Sequence, residues 1–456
     1  MPQTIDPIFQ NFRHYNTARV PRYTSYPTAV QFHDGITADD QQRWLMEVGP
    51  DQSLSLYFHI PFCQQLCWYC GCNTTVTQNT GRMTRNTRAL VMEIERVADL
   101  LPPKMAVRHL HFGGGTPTWL PMSDMAALVA LVRKRFNLLP DAELAIEIDP
   151  RTMSRQKAGA LAVMGFNRAS LGVQDFNPAV QALINRIQPP QMVADCITWL
   201  RDAGIDAISM DLIYGLPGQT TEGLVETVRQ AVRMKPQRVA LFGYAHLPSR
   251  LKHQRMIAND ALPGAEARQD AAEAAAAALV AAGYDAIGFD HFALLEDTLA
   301  VAAREGHLRR NFQGYTNDPA DVLIGFGASA ISELPGGYIQ NSAHIGQYEA
   351  AIEAGGLAGD RGVAITADDR LRRAVIEALL CQFTADVGAI CKAQGRAETA
   401  LDSEILRLTP LRADGLCSVK GRTVTIPPVA RNHARVVAAT FDAYLVPEAA
   451  RHSVAV

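Results

Sequence analysis

Cys63, Cys67, Cys70 and Cys72 stand within ten residues, spaced C-x3-C-x2-C-x-C. Thiolates at this density are soft ligands suited to zinc, Cu(I) or an iron–sulfur cluster. A structural zinc site wants a second ligand pair at a distance, and none follows here. Three cysteines on one short loop can hold three irons of a [4Fe–4S] cube and leave the fourth open to a small molecule. With Cys72 as fourth ligand the cube would be closed for electron transfer. The single residue between Cys70 and Cys72 gives that thiol little freedom to reach a separate corner. Cys196, Cys381, Cys391 and Cys417 have no companions and read as small buried hydrophobes.

Other residues able to do chemistry recur where apolar runs end. Gly113, Gly114 and Gly115 follow the run Val107–Phe112 and, lacking Cβ atoms, let a backbone approach a ligand closely. Glu147, Gln174 and Asp211 lie at the ends of three later runs. Glu147 can hold an ammonium or a ribose hydroxyl, and Gln174 can offer its amide to a base or a carboxylate. Asp211 is an acceptor, and Arg186 can clamp a carboxylate with two parallel bonds. His59 can support a cluster or serve as an ordinary core histidine.

Strand-like and helix-like runs must position these residues. The β-rich stretches are Leu54–Ile60, Val107–Phe112, Leu144–Ile148, Ala169–Val173, Ala207–Tyr214, Val239–Tyr244 and Ala286–Phe289. Several look apolar on both faces, as buried parallel strands should. Helical spacing fills the gaps: Ser123–Phe136 with Ser123 as N-cap, Thr221–Met234, and the Ala-rich Ala265–Ala282. Strand–helix alternation predicts a parallel sheet curled into a barrel or part-barrel over residues 51–300. The cysteine loop follows the first strand, at the barrel end where such folds place their chemistry. Residues 301–360 look irregular and Gly/Asn-rich, as a functional loop or linker. Residues 361–456 read as a small α+β, winged-helix-like unit. It has helices at Asp368–Cys381 and Leu401–Leu408, a turn at Asp414-Gly415 and a hairpin over Val419–Ile426. Residues 1–50 are polar, with one helical patch near Asp39–Glu47.

Composition narrows the function classes. The chain has 456 residues, 48% hydrophobic and 20% charged, with net charge -3. That is globular and carries no basic footprint for nucleic acid or a membrane surface. No apolar run approaches the ~20 residues of a membrane span, and the start lacks the pattern of a secretory signal. A cytosolic location is expected, where clustered cysteines mean metal or redox chemistry rather than cross-links.

The motif C-x3-C-x2-C resembles the signature of the radical S-adenosylmethionine enzymes. Its extension CGCN, with PRYTSYPTA at 21–29 and HIPFC at 59–63, is similar to the oxygen-independent coproporphyrinogen III oxidase family. The likeness continues through HFGGGTPT, EIDP, GVQDFN, Asn185-Arg186, DLIYGLPGQT, YAHLP, NFQGYT and GASAIS, and is loose only in the last ~90 residues. The resemblance implies a partial (β/α)6 barrel with an N-terminal segment covering the active site and a small C-terminal domain.

It further implies a [4Fe–4S] cluster on Cys63, Cys67 and Cys70, and two molecules of S-adenosylmethionine. The first would touch Tyr57, Gly114, Glu147 and Ile331. The second would touch Tyr69, Gly115, Thr116, Gln174, Arg186, Asp211 and Ala245. Tyr57, Glu147 and Gln313 would take part in catalysis. The reaction implied is oxidative decarboxylation of two propionates of coproporphyrinogen III to vinyls, giving protoporphyrinogen IX. The expected partners are that tetrapyrrole and an unnamed electron donor and acceptor, with no nucleic acid and no membrane, for a monomeric protein. A substrate with four carboxylates needs cations among apolar walls; Arg22 and Arg309–Arg310 are candidates. A haem carrier of the same superfamily is the rival reading; such relatives carry Phe in place of Cys72 and lack the PRYTSYP segment.

Overall fold

The computed structural model describes residues 12, 14–15 and 18–445. The other residues of the N-terminal segment, and the last eleven of the chain, lie outside the described residues.

Six parallel strands follow one another around the sheet: β1 (Leu54–Ile60), β2 (Ala106–Gly114), β3 (Asn137–Ile148), β4 (Arg168–Gln174), β5 (Ala207–Tyr214) and β6 (Arg238–Gly243). The longer helices between them are α2 (Thr80–Leu100), α3 (Met122–Arg135), α4 (Arg155–Met164), α5 (Pro190–Asp202) and α6 (Thr221–Arg233), after α1 (Ala38–Met46). α7 (Ala265–Ala281) leads from β6 to the hairpin β7 (Tyr284–Ile287) and β8 (His291–Leu294), and β8 pairs antiparallel with β6. This is the expected α/β partial barrel.

β1 shows how the barrel is built. Leu54, Leu56, Phe58 and Ile60 are fully buried and join the hydrophobic core that includes Leu90 and Ile94 of α2. The alternate residues Ser55, Tyr57 and His59 fall on the opposite face, as the two-residue pleat requires. Strands apolar on both faces were expected; instead the inner face is polar. Its far end holds a network in which Arg168 pairs with Glu143 at 2.8 Å and Arg238 with Asp297 at 2.7 Å. An interior that receives ligands and ion pairs cannot be filled with aliphatic side chains.

Three local expectations need correction. α3 begins at Met122 with Pro121 as N-cap, so Ser123 lies inside the first turn. β3 starts at Asn137, seven residues before the expected Leu144. Residues 301–360 are not irregular. They hold the hairpin β9 (Arg309–Asn311) and β10 (Gly314–Thr316), then β11 (Val322–Phe326), β12 (Ile331–Leu334) and β13 (Gly337–Asn341). β11 joins the free edge of β1 in parallel. β12, β13 and β14 (Gly359–Ala364) extend the sheet antiparallel, giving twelve strands in the order β14-β13-β12-β11-β1-β2-β3-β4-β5-β6-β8-β7. Strands this short, rich in Gly and Asn, derive their shape from their neighbours rather than from local preference.

The C-terminal unit sets α8 (Ala367–Cys381) against a three-stranded sheet of β15 (Thr384–Asp386), β16 (Ser418–Lys420) and β17 (Thr423–Thr425). α8 is capped by Thr366 and Asp369 in a reciprocal box. Part of this unit's core comes from the other end of the chain: Phe12, Val20, Tyr23 and Tyr26 pack among Leu371, Leu379 and Phe441. Tyr23 donates to Asp442 at 3.0 Å, and Tyr26 accepts from the Ala443 N–H at 2.9 Å.

Candidate active site

The loop after β1 is pinned from several sides. Phe62–Cys63 pairs with Thr75–Val76 in a short parallel ladder. Asn185 donates to the Leu66 carbonyl at 2.8 Å, Gln254 to the Tyr69 carbonyl at 3.0 Å, and His253 contacts the Cys70 carbonyl at 2.7 Å. Donors also face the thiols. Thr74 and Thr116 approach the Cys63 sulfur at 3.1 and 3.4 Å. Arg151 and Arg186 approach the Cys67 sulfur at 3.2 and 3.4 Å. Such donors stabilise the thiolate form that a metal requires. Cys67 is buried, Cys63 and Cys70 are half-buried, and Cys72 is exposed beside Cys70.

The strand ends close the other side. Gly114 has φ +107°, and a Cβ there would lie 2.6 Å from the His59 ring. A Cβ on Gly115 would lie 2.7 Å from the Phe62 carbonyl oxygen. That closeness lets the Gly115 N–H bond Ile60 and the Thr116 N–H bond Phe62, locking the glycine loop to the cysteine loop. Glu147 accepts from the Gly114 N–H at 3.0 Å and faces His111 Nε2 at 3.3 Å. Burial alone would raise its carboxyl; these partners outweigh burial and hold it below its ordinary value. Among the described residues, Asp211 accepts a side-chain hydrogen bond only from Ser170, at 3.4 Å. Burial first, and then the charge of Glu147, push its carboxyl up to about 7. His59 Nε2 lies 2.8 Å from the Asn73 carbonyl, so it carries the proton, and Nδ1 accepts from the Tyr57 hydroxyl at 3.2 Å.

One cavity of about 230 Å³ is lined by Cys63, Cys67, Cys70, Cys72, Tyr69, Gly114, Gly115, Thr116, Glu147, Gln174, Arg186 and Asp211. Tyr57, Ala245, Ile331 and Gln313 stand apart from its lining. Tyr57 is opposite Gly325 in the β1–β11 register, and the Ile331 backbone fills the space a Gly325 Cβ would take. Tyr57 and Ile331 thus flank one glycine just beyond Glu147. Ala245 lines a neighbouring cavity. Gln313 is exposed at the turn of the β9–β10 hairpin, away from both cavities. Of the cations expected for substrate, Arg22 lines the neighbouring cavity. Arg310 is buried between the Phe289 and Tyr315 rings, at 4.6 and 4.5 Å, and Arg309 is exposed. Sequence reasoning missed Asp149 and Arg151. Asp149 sits one residue past β3, pairs with Arg151 at 2.7 Å and Arg186 at 3.3 Å, and so aims both guanidiniums at Cys67.

The donor set fits an iron–sulfur cube with a nucleotide-bearing ligand. Among the described residues, no three His, Cys, Asp or Glu side chains converge as the ligands of one ion must. A cube holds its thiolates wider apart, at separate corners. Buried Arg186 Nε has no partner, and the poorly neutralised Asp211 faces the same space. A ligand carrying both acceptors and donors would satisfy them.

Fold and site together define a radical S-adenosylmethionine barrel protein, and residues 57–231 match the sequence model of the Radical SAM superfamily. The oxygen-independent coproporphyrinogen III oxidase of Bradyrhizobium diazoefficiens is 48% identical over 442 residues, spanning 97% of this chain and 98% of the relative. The Escherichia coli (strain K12) protein of the same name is 41% identical over 428 residues, 93% of each chain. A solved structure of the Escherichia coli coproporphyrinogen III oxidase, described as a radical SAM enzyme, superposes with TM-score 0.89. It is 40% identical and covers 93% of this chain and 98% of that one. The chain belongs to the oxygen-independent coproporphyrinogen III oxidase family. Membership brings with it a [4Fe–4S] cluster and S-adenosylmethionine. No helix among the described residues is long and apolar enough to cross a membrane.

Proposed function

We propose that this chain oxidatively decarboxylates two propionate side chains of coproporphyrinogen III to vinyl groups, giving protoporphyrinogen IX without oxygen. The observation that carries the reading is the convergence of the cysteine loop with Gly114, Glu147, Gln174 and Asp211 on one cavity, in a chain alike to named oxidases over nearly its full length. Cys63, Cys67 and Cys70 hold the cluster, and Cys72 stays off it. When bound, cluster and S-adenosylmethionine together supply a carbon-centred radical able to take hydrogen from the propionate β-carbon.

The chain's own residues bind and aim. Glu147, ionised and fixed by Gly114 and His111, receives an ammonium or ribose hydroxyl. Tyr57 and Ile331 wall the same side, and with Gly114 they contact the first S-adenosylmethionine. A second molecule sits toward Tyr69, Gly115, Thr116, Gln174, Arg186, Asp211 and Ala245. In support, Ala245 lines the neighbouring cavity, which shares Phe242 with the cysteine cavity. The enzyme works as a cytosolic monomer with a separate electron donor and acceptor.

The test is anaerobic incubation of reconstituted, reduced protein with coproporphyrinogen III and S-adenosylmethionine. Protoporphyrinogen IX should form as S-adenosylmethionine is consumed, and the reduced cluster's electron paramagnetic resonance should change when S-adenosylmethionine is added. A signal indifferent to that addition, or stable haem binding without turnover, would refute the reading.

A further inference from the structure

A second cavity, of about 380 Å³, opens between the barrel and the C-terminal unit. Its walls are apolar: Ala272 and Ala276 of α7, with Tyr214, Phe242 and Phe289. Into them project four guanidiniums from three distant parts of the chain: Arg22, Arg268, Arg431 and Arg435. Against these stands a single carboxylate among the lining residues, Asp290, and it is taken: His291 Nδ1 lies 2.7 Å from it and Arg310 flanks it at 3.8 Å.

Arg22, Arg268 and Arg431 are held by neutral groups. Arg22 Nη2 donates to the Gly243 carbonyl at 3.2 Å, and Arg268 Nη1 to the Tyr244 carbonyl at 3.0 Å. Arg431 lies over the Phe383 ring at 4.4 Å with its Nε buried and unpartnered, and Arg435 lies over Phe289 at 5.4 Å. Among the described residues Arg22, Arg268 and Arg431 have no carboxylate partner. Cations gathered in an apolar cavity repel one another and lose hydration, so such a grouping is costly until an anion enters. Burial first, and then the charge of Arg22, push Arg435 down to about 10.

We infer that this cavity is the anchoring site for the carboxylates of the tetrapyrrole substrate, with Arg22, Arg268, Arg431 and Arg435 as the anchors. The inference rests on the function proposed above. A tetra-anionic macrocycle matches the cavity in charge and in apolar lining. The wall shared through Phe242 sets the anchored ring next to the cysteine cavity, so that one propionate reaches toward the cofactors while others stay bound. Gly243 keeps the arrangement possible: a Cβ there would meet the Tyr214 hydroxyl at 2.8 Å and Arg268 Nη2 at 3.2 Å.

The experiment uses full-length reconstituted protein and coproporphyrin III, the oxidised, unreactive tetracarboxylate, with binding read by fluorescence. Arg268→Gln and Arg431→Gln should each weaken binding about tenfold or more, the worth of one charge-assisted hydrogen bond. Arg268→Lys should recover part of the loss, and the tetramethyl ester should bind wild type far more weakly than the free acid. Iron content and melting temperature establish that each variant folds and carries its cluster. Equal affinity of both glutamine variants and wild type, or equal binding of acid and ester, would overturn the inference. Turnover separates the two claims. Wild type that does not convert coproporphyrinogen III sinks the proposed function. Wild type that converts it, beside variants with unchanged KM and affinity, sinks the anchoring site alone.

Discussion

Replacing Asp211 by Asn removes a charge that the empty cavity holds at a cost. An unfolded aspartate ionises near 4, whereas Asp211 in the cavity ionises at about 7, because burial and Glu147 both oppose its charge. A carboxyl raised in this way leaves the fold unaffected well below pH ~4, weakens it progressively up to about pH 7, and by a constant amount beyond. The rise from near 4 to about 7 corresponds to about 4 kcal/mol, and screening by water in an open cavity reduces this to roughly 2 kcal/mol. Asn keeps the shape without the charge. The apo variant should therefore melt above wild type at about pH 8, and the gap should narrow toward about pH 5. Affinity for S-adenosylmethionine should move the other way. Loss of a charged acceptor for its hydroxyls or ammonium should weaken binding about 10- to 100-fold, read by equilibrium dialysis. If Asp211→Asn melts no higher than wild type at pH 8 and binds S-adenosylmethionine equally well, the reasoning fails on both counts.

Cys67→Ala should abolish the visible absorption and iron content of reconstituted protein, whereas Cys196→Ala, at a fully buried site away from the cavity, should keep both and lose about 1–2 kcal/mol of stability. Gly115→Ala drives a Cβ against the Phe62 carbonyl and should lower cluster content. Gly159→Ala, in α4 with open space around it, should raise the melting temperature through about 0.5–1 kcal/mol of helix stability. Tyr26→Ala empties a site 1% exposed in the C-terminal core and should cost about 3–5 kcal/mol by thermal unfolding. Tyr26→Phe, losing only the bond to Ala443, should cost about 1 kcal/mol.

What was legible in the sequence was whatever local pattern encodes. Apolar runs of five to eight residues marked β1, β3, β4 and β5, and positions at or near the ends of the last three located Glu147, Gln174 and Asp211 on one rim. The cysteine spacing carried its own chemistry. Less legible were features made by pairing at a distance. β9 to β13 are only three to five residues long, and of them only β11 carries a continuous apolar run, which becomes a strand where β1 offers an edge. The inner faces of the strands looked apolar because Ser55, His59 and Gly172 are small or ambiguous residues in a run of aliphatics. Arg151 points at Cys67 only because Asp149 turns it there, two residues away in a segment with no helical or strand period. The arginine cavity was glimpsed in Arg22 alone. Arg268, Arg431 and Arg435 lie far apart in the chain and meet only once the C-terminal unit docks, and Arg310, expected to face substrate, is stacked between two rings behind the wall.

Tyr23 and Tyr26 tie residues near the start of the chain into a core completed by Phe441. During synthesis the ribosome releases the cysteine loop and its strands long before that core has its last members. A nascent polypeptide can therefore fold its cofactor-bearing half while the arginine-lined chamber still lacks Arg431 and Arg435. Order of translation itself then delays the pairing of a reactive centre with its target until the whole molecule has been made.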